Sequence, residues 1–287
     1  MTPPLLPRTV ILSDTHIGPP GRGARSARAL RPIWRGADRL VLNGDIAEVH
    51  DPKWRGRAAR EVLEIQDLCD QDGVELIMLS GNHDPMISDL RCLTLYDGAV
   101  FITHGDTLHP AISPWNAYAP ELRQLNEQAL AVLEASQRHT LANRLAAVQH
   151  AAHVDWDHEA THPRPVSPRW RRVLTLPAKV ARVFWYWSTM HWRAYSFMLQ
   201  HVPEARFFIF GHYHHSGIWR MGQRVIINTG CYSFPAQPMA VILQDRALEV
   251  RRVCRHGASY RLADRPRGVY TIPTRSTTSI IKGLQHA

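Results

Sequence analysis

The chain has 287 residues, 34 Lys and Arg against 25 Asp and Glu, and a formal net charge of +9. That length can bury one large core and is short for two full domains. No apolar run reaches the roughly 18 residues of a membrane-spanning helix, so a soluble or peripheral protein is expected.

The positive balance points to an anionic partner: nucleic acid, an acidic membrane surface or a phosphorylated substrate. A generally arginine-rich composition would give the same balance. Three prolines fall among the first seven residues and nothing there resembles a signal peptide, which reads as cytoplasmic. Cys69, Cys92, Cys231 and Cys254 form no Cys-x-x-Cys pair, so a reduced set is expected. Composition says nothing about oligomeric state.

Taken in chain order, the apolar run at 9–12 leads to Asp14-Thr15-His16, followed by a Gly- and Pro-rich loop carrying Arg22 and Arg25. Leu40-Val41-Leu42 leads to Gly44-Asp45. Residues 55–71 carry a helical stripe of Ala58, Val62, Ile65 and Leu68 that ends at Gly73, which reads as a crossover helix. The run at 76–79 leads to Gly81-Asn82-His83-Asp84, and Val100-Phe101-Ile102 leads to His104-Gly105-Asp106. Strand, helix and strand thus alternate as in a parallel βαβ unit.

The alternation then stops for about one hundred residues. Residues 121–150 and roughly 167–200 read as two long helices, an insertion over or beside the site. The second mixes Lys179, Arg182 and Arg193 with Trp185, Tyr186, Trp187 and Trp192, and Arg169, Arg171 and Arg172 lie just upstream. Such a stripe packs onto a core, meets a membrane interface or stacks nucleic-acid bases. His150, His153, Asp155, Asp157, His158 and His162 could bind a metal, but a solvated helix end is the plainer reading. Phe207-Phe208-Ile209-Phe210 then leads to Gly211-His212-Tyr213-His214. Short strands near 218–220, 225–228, 239–243 and 247–253 are expected to complete a second sheet. The chain from about 263 reads as an extended basic tail.

A buried strand that ends in a polar donor places that donor at the sheet's carboxyl edge. Five such strands would converge Asp14, His16, Asp45, Asn82, His104, His212 and His214 on one crevice. These donors are hard or borderline, with no thiolate, and suit Mn²⁺ first, then Fe or Zn²⁺. Two ions roughly 3.5–4 Å apart need a carboxylate between them. Asp45, at a Gly-Asp strand end, is the natural bridge.

In this order, Asp-x-His, Gly-Asp, Gly-Asn-His-Asp, His-Gly and Gly-His-x-His resemble the signature of the calcineurin-like metallophosphoesterases, from about residue 8 to about 232. The resemblance implies an α/β fold, a four-layer αββα sandwich with a helical lid between the fourth and fifth motifs. The core would be 1–109 and 202–262, the lid 110–201 and the tail 263–287. It implies one ion on Asp14, His16, Asp45 and His214, and a second on Asp45, Asn82, His104 and His212. His83 would be the non-ligand imidazole that contacts phosphate or protonates the leaving group, and Asp84 would orient it. Hydrolysis would use water activated between two divalent ions, with no protein nucleophile.

Within the superfamily, the run at 95–108 and the helical insertion are most similar to UDP-2,3-diacylglucosamine hydrolases. These cut a lipid-linked pyrophosphate at the inner face of the cytoplasmic membrane. That resemblance implies a lipid-linked substrate, peripheral contact with anionic membrane, and substrate contacts from Arg22, Lys179 and Arg182. The chain departs from that family at His83, where Arg is common, and at His215-Ser216, where Arg-Pro is common. A soluble phosphodiesterase or phosphatase for a small nucleotide is the alternative. A nuclease is less favoured, because only about 55 residues follow Cys231 and no capping domain fits there. A scaffold of the retromer type would have lost ligands, and all seven are present.

Overall fold

The computed structural model describes residues 6–116, 118–161, 169–234 and 236–274. His162 lies outside them, as do the side chains of Arg169, Arg171 and Arg172. The first half builds β1 (Thr9–Leu12), α1 (Ala27–Trp34), β2 (Arg39–Asn43), α2 (Arg55–Asp72), β3 (Glu75–Leu79), β4 (Cys92–Leu95) and β5 (Val100–Thr103). Three helices follow: α3 (Ala119–Ala131), α4 (Leu141–Thr161) and α5 (Arg169–His201). The chain closes with β6 (Phe207–Phe210), β7 (Gly217–Met221), β8 (Arg224–Asn228), β9 (Met239–Gln244), β10 (Ala247–His256), β11 (Ser259–Leu262) and β12 (Gly268–Thr271).

Two sheets result. One has the order β11-β10-β9-β1-β2-β3, with β12 also paired to β10, and the other runs β4-β5-β6-β8-β7. The central strands pair in parallel, β1 with β2, β2 with β3, β5 with β6 and β6 with β8. Period-two alternation assigns every second side chain to a different layer. Ile11, Val41, Ile102, Ile209 and Ile227 meet between the sheets. Val10, Leu12, Leu40 and Leu42 face Leu30, Ile33, Trp34, Ile65 and Leu68 of α1 and α2. Phe101, Phe208, Phe210 and Ile226 face Met190, Ala194, Phe197 and Met198 of α5. The layers are helix, sheet, sheet and helix, the expected four-layer α/β sandwich.

Four details differ from the sequence reading. The helix expected over 121–150 is two helices, because the chain between them supplies its own caps. Arg138 donates to the carbonyls of Ala131 (3.0 Å) and Leu133 (2.9 Å), and Thr140 Oγ1 accepts from the Asn143 amide (3.4 Å). The strands after the fifth motif do not build one sheet: β7 and β8 join β6, while β9 pairs antiparallel with β1. The supposed tail contributes β12, antiparallel to β10. The second half of α5, read as part of a lid, is the outer helical layer over β5, β6 and β8.

Candidate metal centre

Each motif begins within two residues of a strand end, so the five loops meet at one edge of the sandwich. Asp14 and Asp45 are 0% and 1% exposed. Asp14 Oδ1 lies 3.3 Å from His214 Nε2 and 4.0 Å from His16 Nε2, and the two imidazole nitrogens face each other at 3.0 Å. Asp45 turns one oxygen to each side: Oδ2 is 3.7 Å from His16 Nε2, and Oδ1 is 3.3 Å from His104 Nε2. Asn82 Oδ1 is 3.3 Å from His104 Nε2. His212 Nε2 donates to the Ile112 carbonyl (2.9 Å), which leaves its Nδ1 as the free donor.

Ligand atoms of Asp14, His16, Asp45 and His214 fall within 4.8 Å of one another, and so do those of Asp45, His104 and His212. Oxygen and imidazole donors converging on two adjacent points, with Asp45 in both groups, fit divalent cations and no softer group.

The backbone is bent to achieve this. Asp14, His16, Asp45, His212 and His214 all have positive φ, between 45° and 65°. Such conformations cost on the order of 1 kcal/mol or more each and persist only where surroundings enforce them. Here loop bonds to loop: Asp14 N donates to Gly44 O (3.1 Å), His16 N to Asp45 O (3.0 Å), and His212 N to Asp14 Oδ1 (2.8 Å).

The charges follow from this crowding. Burial is the largest influence on His104 and His83 and lowers their basicity, but the surrounding carboxylates together outweigh it, Asp45 foremost, with Asp14 and Asp106 adding at His104 and Glu48 at His83. His104 is raised to about 10 and His83 to about 9. Burial with the neighbouring His104 charge pushes His212 down to about 4. Cations held on Asp45 would cancel much of the pull on His83 and His104.

Asp84 does not orient His83. Its carboxylate accepts from the backbone amides of Asp45 (3.1 Å), Ile46 (2.5 Å), Ala47 (3.3 Å) and Gly81 (2.9 Å), strapping the loop after β2 to the loop after β3. The acid facing His83 is Glu48, at 3.2 Å from Nδ1, and it also bonds His16 Nδ1 at 2.5 Å. Sequence reading missed Glu48; the signal available was an acid three residues past Asp45.

Of the three cations expected to touch substrate, Lys179 lines a cup of about 270 Å³ that also exposes Asn82, His83, Trp115 and Trp156. Arg182 lines a separate groove of about 810 Å³ with Trp185 and Tyr186. Arg22 is exposed in the loop after His16, and its amide donates to the Pro19 carbonyl at 3.3 Å. His150, His153, Asp155, Asp157 and His158 form no metal-compatible group among the described residues. At about 100° per residue, His150, His153 and Asp157 share one face of α4, while Asp155 and His158 are turned away from it.

The Calcineurin-like phosphoesterase family matches residues 7–216, which span all five motifs. The chain belongs to that family and is a metal-dependent hydrolase. A search of curated proteins found no match. Among solved structures, a dimetal phosphatase from Danio rerio is similar at 15% identity and a TM-score of 0.47, covering 94% of this chain and 100% of that one. A Vps29 single mutant from Entamoeba histolytica is similar at 11% identity and a TM-score of 0.43, covering 91% and 99%. A predicted phosphoesterase from Streptococcus pneumoniae stands at 14% and 0.36, covering 90% and 98%. At these scores the likenesses add nothing to the family assignment.

Gly81 and Gly211 lie hard against the two buried acids: a Cβ would overlap the Asp45 carboxylate at one and the Asp14 carboxylate at the other. Gly81→Ala is expected to weaken Mn²⁺ binding at least tenfold in a calorimetric titration, with folding checked by circular dichroism. An unchanged isotherm would show that the Asp45 position is not critical.

Proposed function

We propose that the protein hydrolyses a phosphodiester or phosphoanhydride at a dinuclear centre. Asp14, His16, Asp45 and His214 would hold one ion, and Asp45, Asn82, His104 and His212 the other. The observation that carries this is the division of Asp45, one oxygen toward each donor group. The donor set suits Mn²⁺ first, with Fe or Zn²⁺ next. Divalent ions bound there supply Lewis acidity, activating water and neutralising charge on phosphoryl oxygens.

His83 is not among the seven ligands. Its side chain is 33% exposed and lines the cup, so it can reach a substrate that Asn82 and Lys179 also face. With Nδ1 on Glu48, its Nε2 is the atom available to bond phosphate or deliver a proton to the leaving oxygen.

For the substrate, a lipid-linked pyrophosphate of the UDP-2,3-diacylglucosamine kind is favoured by two adjoining spaces of different character. The polar cup beside His83 suits the phosphorylated head. The larger groove, lined by Ala111, Pro114, Ala181, Trp185 and Tyr186, suits an apolar chain, and Asn116 lines both. Phe184, Trp185 and Trp192 are 60%, 63% and 60% exposed on α5, which supports peripheral contact with an anionic membrane. Trp187 does not share that role, since its Nε1 donates to Tyr213 O at 2.7 Å and its ring stacks on His215. Among the described residues no helix is long and apolar enough to cross a membrane. A soluble nucleotide is the second reading, favoured by the small size of the cup and its two indoles.

His83→Ala should lower kcat by roughly 10²–10⁴ with metal retained; loss of metal in that variant would remove His83 from this role. Mn²⁺-dependent release of UMP from UDP-2,3-diacylglucosamine should outpace hydrolysis of bis-p-nitrophenyl phosphate. Cleavage of the generic diester alone would reject the lipid and favour the nucleotide. Trp185→Ala with Trp192→Ala should weaken binding to anionic liposomes while sparing the generic diester, and unchanged binding would reject the membrane contact.

A further inference from the structure

The insertion reaches the loops of the metal centre through one face of α4. At about 100° per residue, Gln149, Ala152 and Trp156 fall within a narrow arc of that helix. The Gln149 side-chain amide meets the loop after β3, and its Nε2 donates to the carbonyls of Pro85 (3.1 Å) and Ser88 (3.4 Å). A primary amide nitrogen carries two hydrogens, and both are used on this loop. Pro85 and Ser88 follow closely on Asn82-His83, so the bonds hold the segment that carries those two residues. Two turns along the helix, the Arg55 guanidinium lies 4.5 Å over the Trp156 ring. Arg55 in turn donates from Nε to the Val49 carbonyl (2.9 Å) and from Nη2 to that of His50 (3.5 Å), in the loop after β2. β2 and β3 are paired neighbours, so α4 lies across two adjacent loops. Away from this face, Val148 and Ala151 bury against Ile112 and Leu122, which fixes the helix from its other side.

We propose that Gln149 is a positioning residue for the reaction: it clasps the His83 loop to α4 and so sets the width of the cup between them. Asn82 and His83 line the cup from the loop after β3, and Ala152 and Trp156 line it from α4. A substrate in the cup therefore meets two groups of side chains whose separation is fixed by one hydrogen-bonded side chain. A shift of α4 would carry the Pro85 and Ser88 carbonyls with it and re-aim His83 Nε2. Misplacing a reacting group by about 1 Å can cost roughly 10²-fold in rate. The clasp itself follows from the geometry; its effect on turnover rests on the phosphoesterase reading above.

The test uses the full chain. Hydrogen exchange of the amides in residues 82–90 should run roughly five- to tenfold faster in Gln149→Ala than in the native protein, with the sheet amides unchanged. Gln149→Glu keeps the shape but turns a carboxylate toward two carbonyls, so it should free the loop at least as far. A residue that only fills space would tolerate that change. With bis-p-nitrophenyl phosphate at saturating Mn²⁺, Gln149→Ala should lower kcat roughly tenfold and leave KM nearly unchanged. Placed on His83→Ala, the same substitution should cost little more, because its effect passes through His83. Native exchange, or native kcat, in both Gln149 variants would overturn the proposal. So would a kcat loss that is undiminished on His83→Ala, which would make Gln149 a support of the fold and not of that imidazole. If the native protein hydrolyses neither a phosphodiester nor a phosphoanhydride, the phosphoesterase reading falls, and hydrogen exchange decides the clasp.

Discussion

Two carboxylates without solvent, Asp14 and Asp45, are the constraint on which the rest of this structure depends. An isolated buried carboxylate is costly enough that it would take up a proton instead. Both are instead held below the usual carboxylate range. Burial raises them, and the charges and hydrogen bonds of His104, His214, His83 and His16 more than offset it. Backbone amides contribute as well, His212 N to Asp14 and His83 N (2.9 Å) to Asp45. A pocket of concentrated negative charge ringed by imidazoles is stable only with positive charge in it, which is the electrostatic sense of a cation site.

Holding those groups in place falls to strand ends rather than to helices. Buried parallel strands fix where each loop starts, and the loops then bond to one another across β1, β2 and β6. The left-handed residues at five of the seven donors are tolerated because of this mutual bracing. Asp84 is part of the brace, and burial together with the nearby Asp45 charge raises its carboxyl to about 6. Its four amide bonds explain why an acid next to His83 in sequence points away from it in space.

Most of this was legible from the chain. Apolar runs of three or four residues followed by a donor are strong signals because the period and the chemistry agree. What was not legible depends on three-dimensional choices. No Gly or Pro falls in 132–140 to mark a break, so it shows in the bonds from Arg138 and to Thr140. The run at 239–243 is equally apolar whether it extends one sheet or the other, and its pairing with β1 is a matter of topology. Glu48 has no apolar run before it and reads as a loop acid until His16 and His83 are seen on either side of it. The aromatic stripe of α5 divides between interior and surface, Trp187 inward and Trp185 outward, and residue type alone does not separate them.

The insertion is joined to the metal centre more closely than its composition implies. Ile112, a β-branched residue with a φ of 54°, is buried and presents its carbonyl to His212 Nε2. Positive φ is a genuine outlier for such a side chain, so the surroundings must enforce it. Trp115, three residues on, packs its ring on both His212 and Tyr213, at 5.1 and 5.4 Å. Trp187 of α5 then bonds the Tyr213 carbonyl. Swinging the whole insertion away as a lid would break that hydrogen bond to a metal-site histidine and expose two aromatic contacts. The chain from 112 to 115 is therefore mechanically part of the candidate metal centre, and Ile112, Ser113 and Trp115 also line the cup. The carbonyl that fixes the His212 tautomer and part of the lining of the cup are consequently a single piece of backbone.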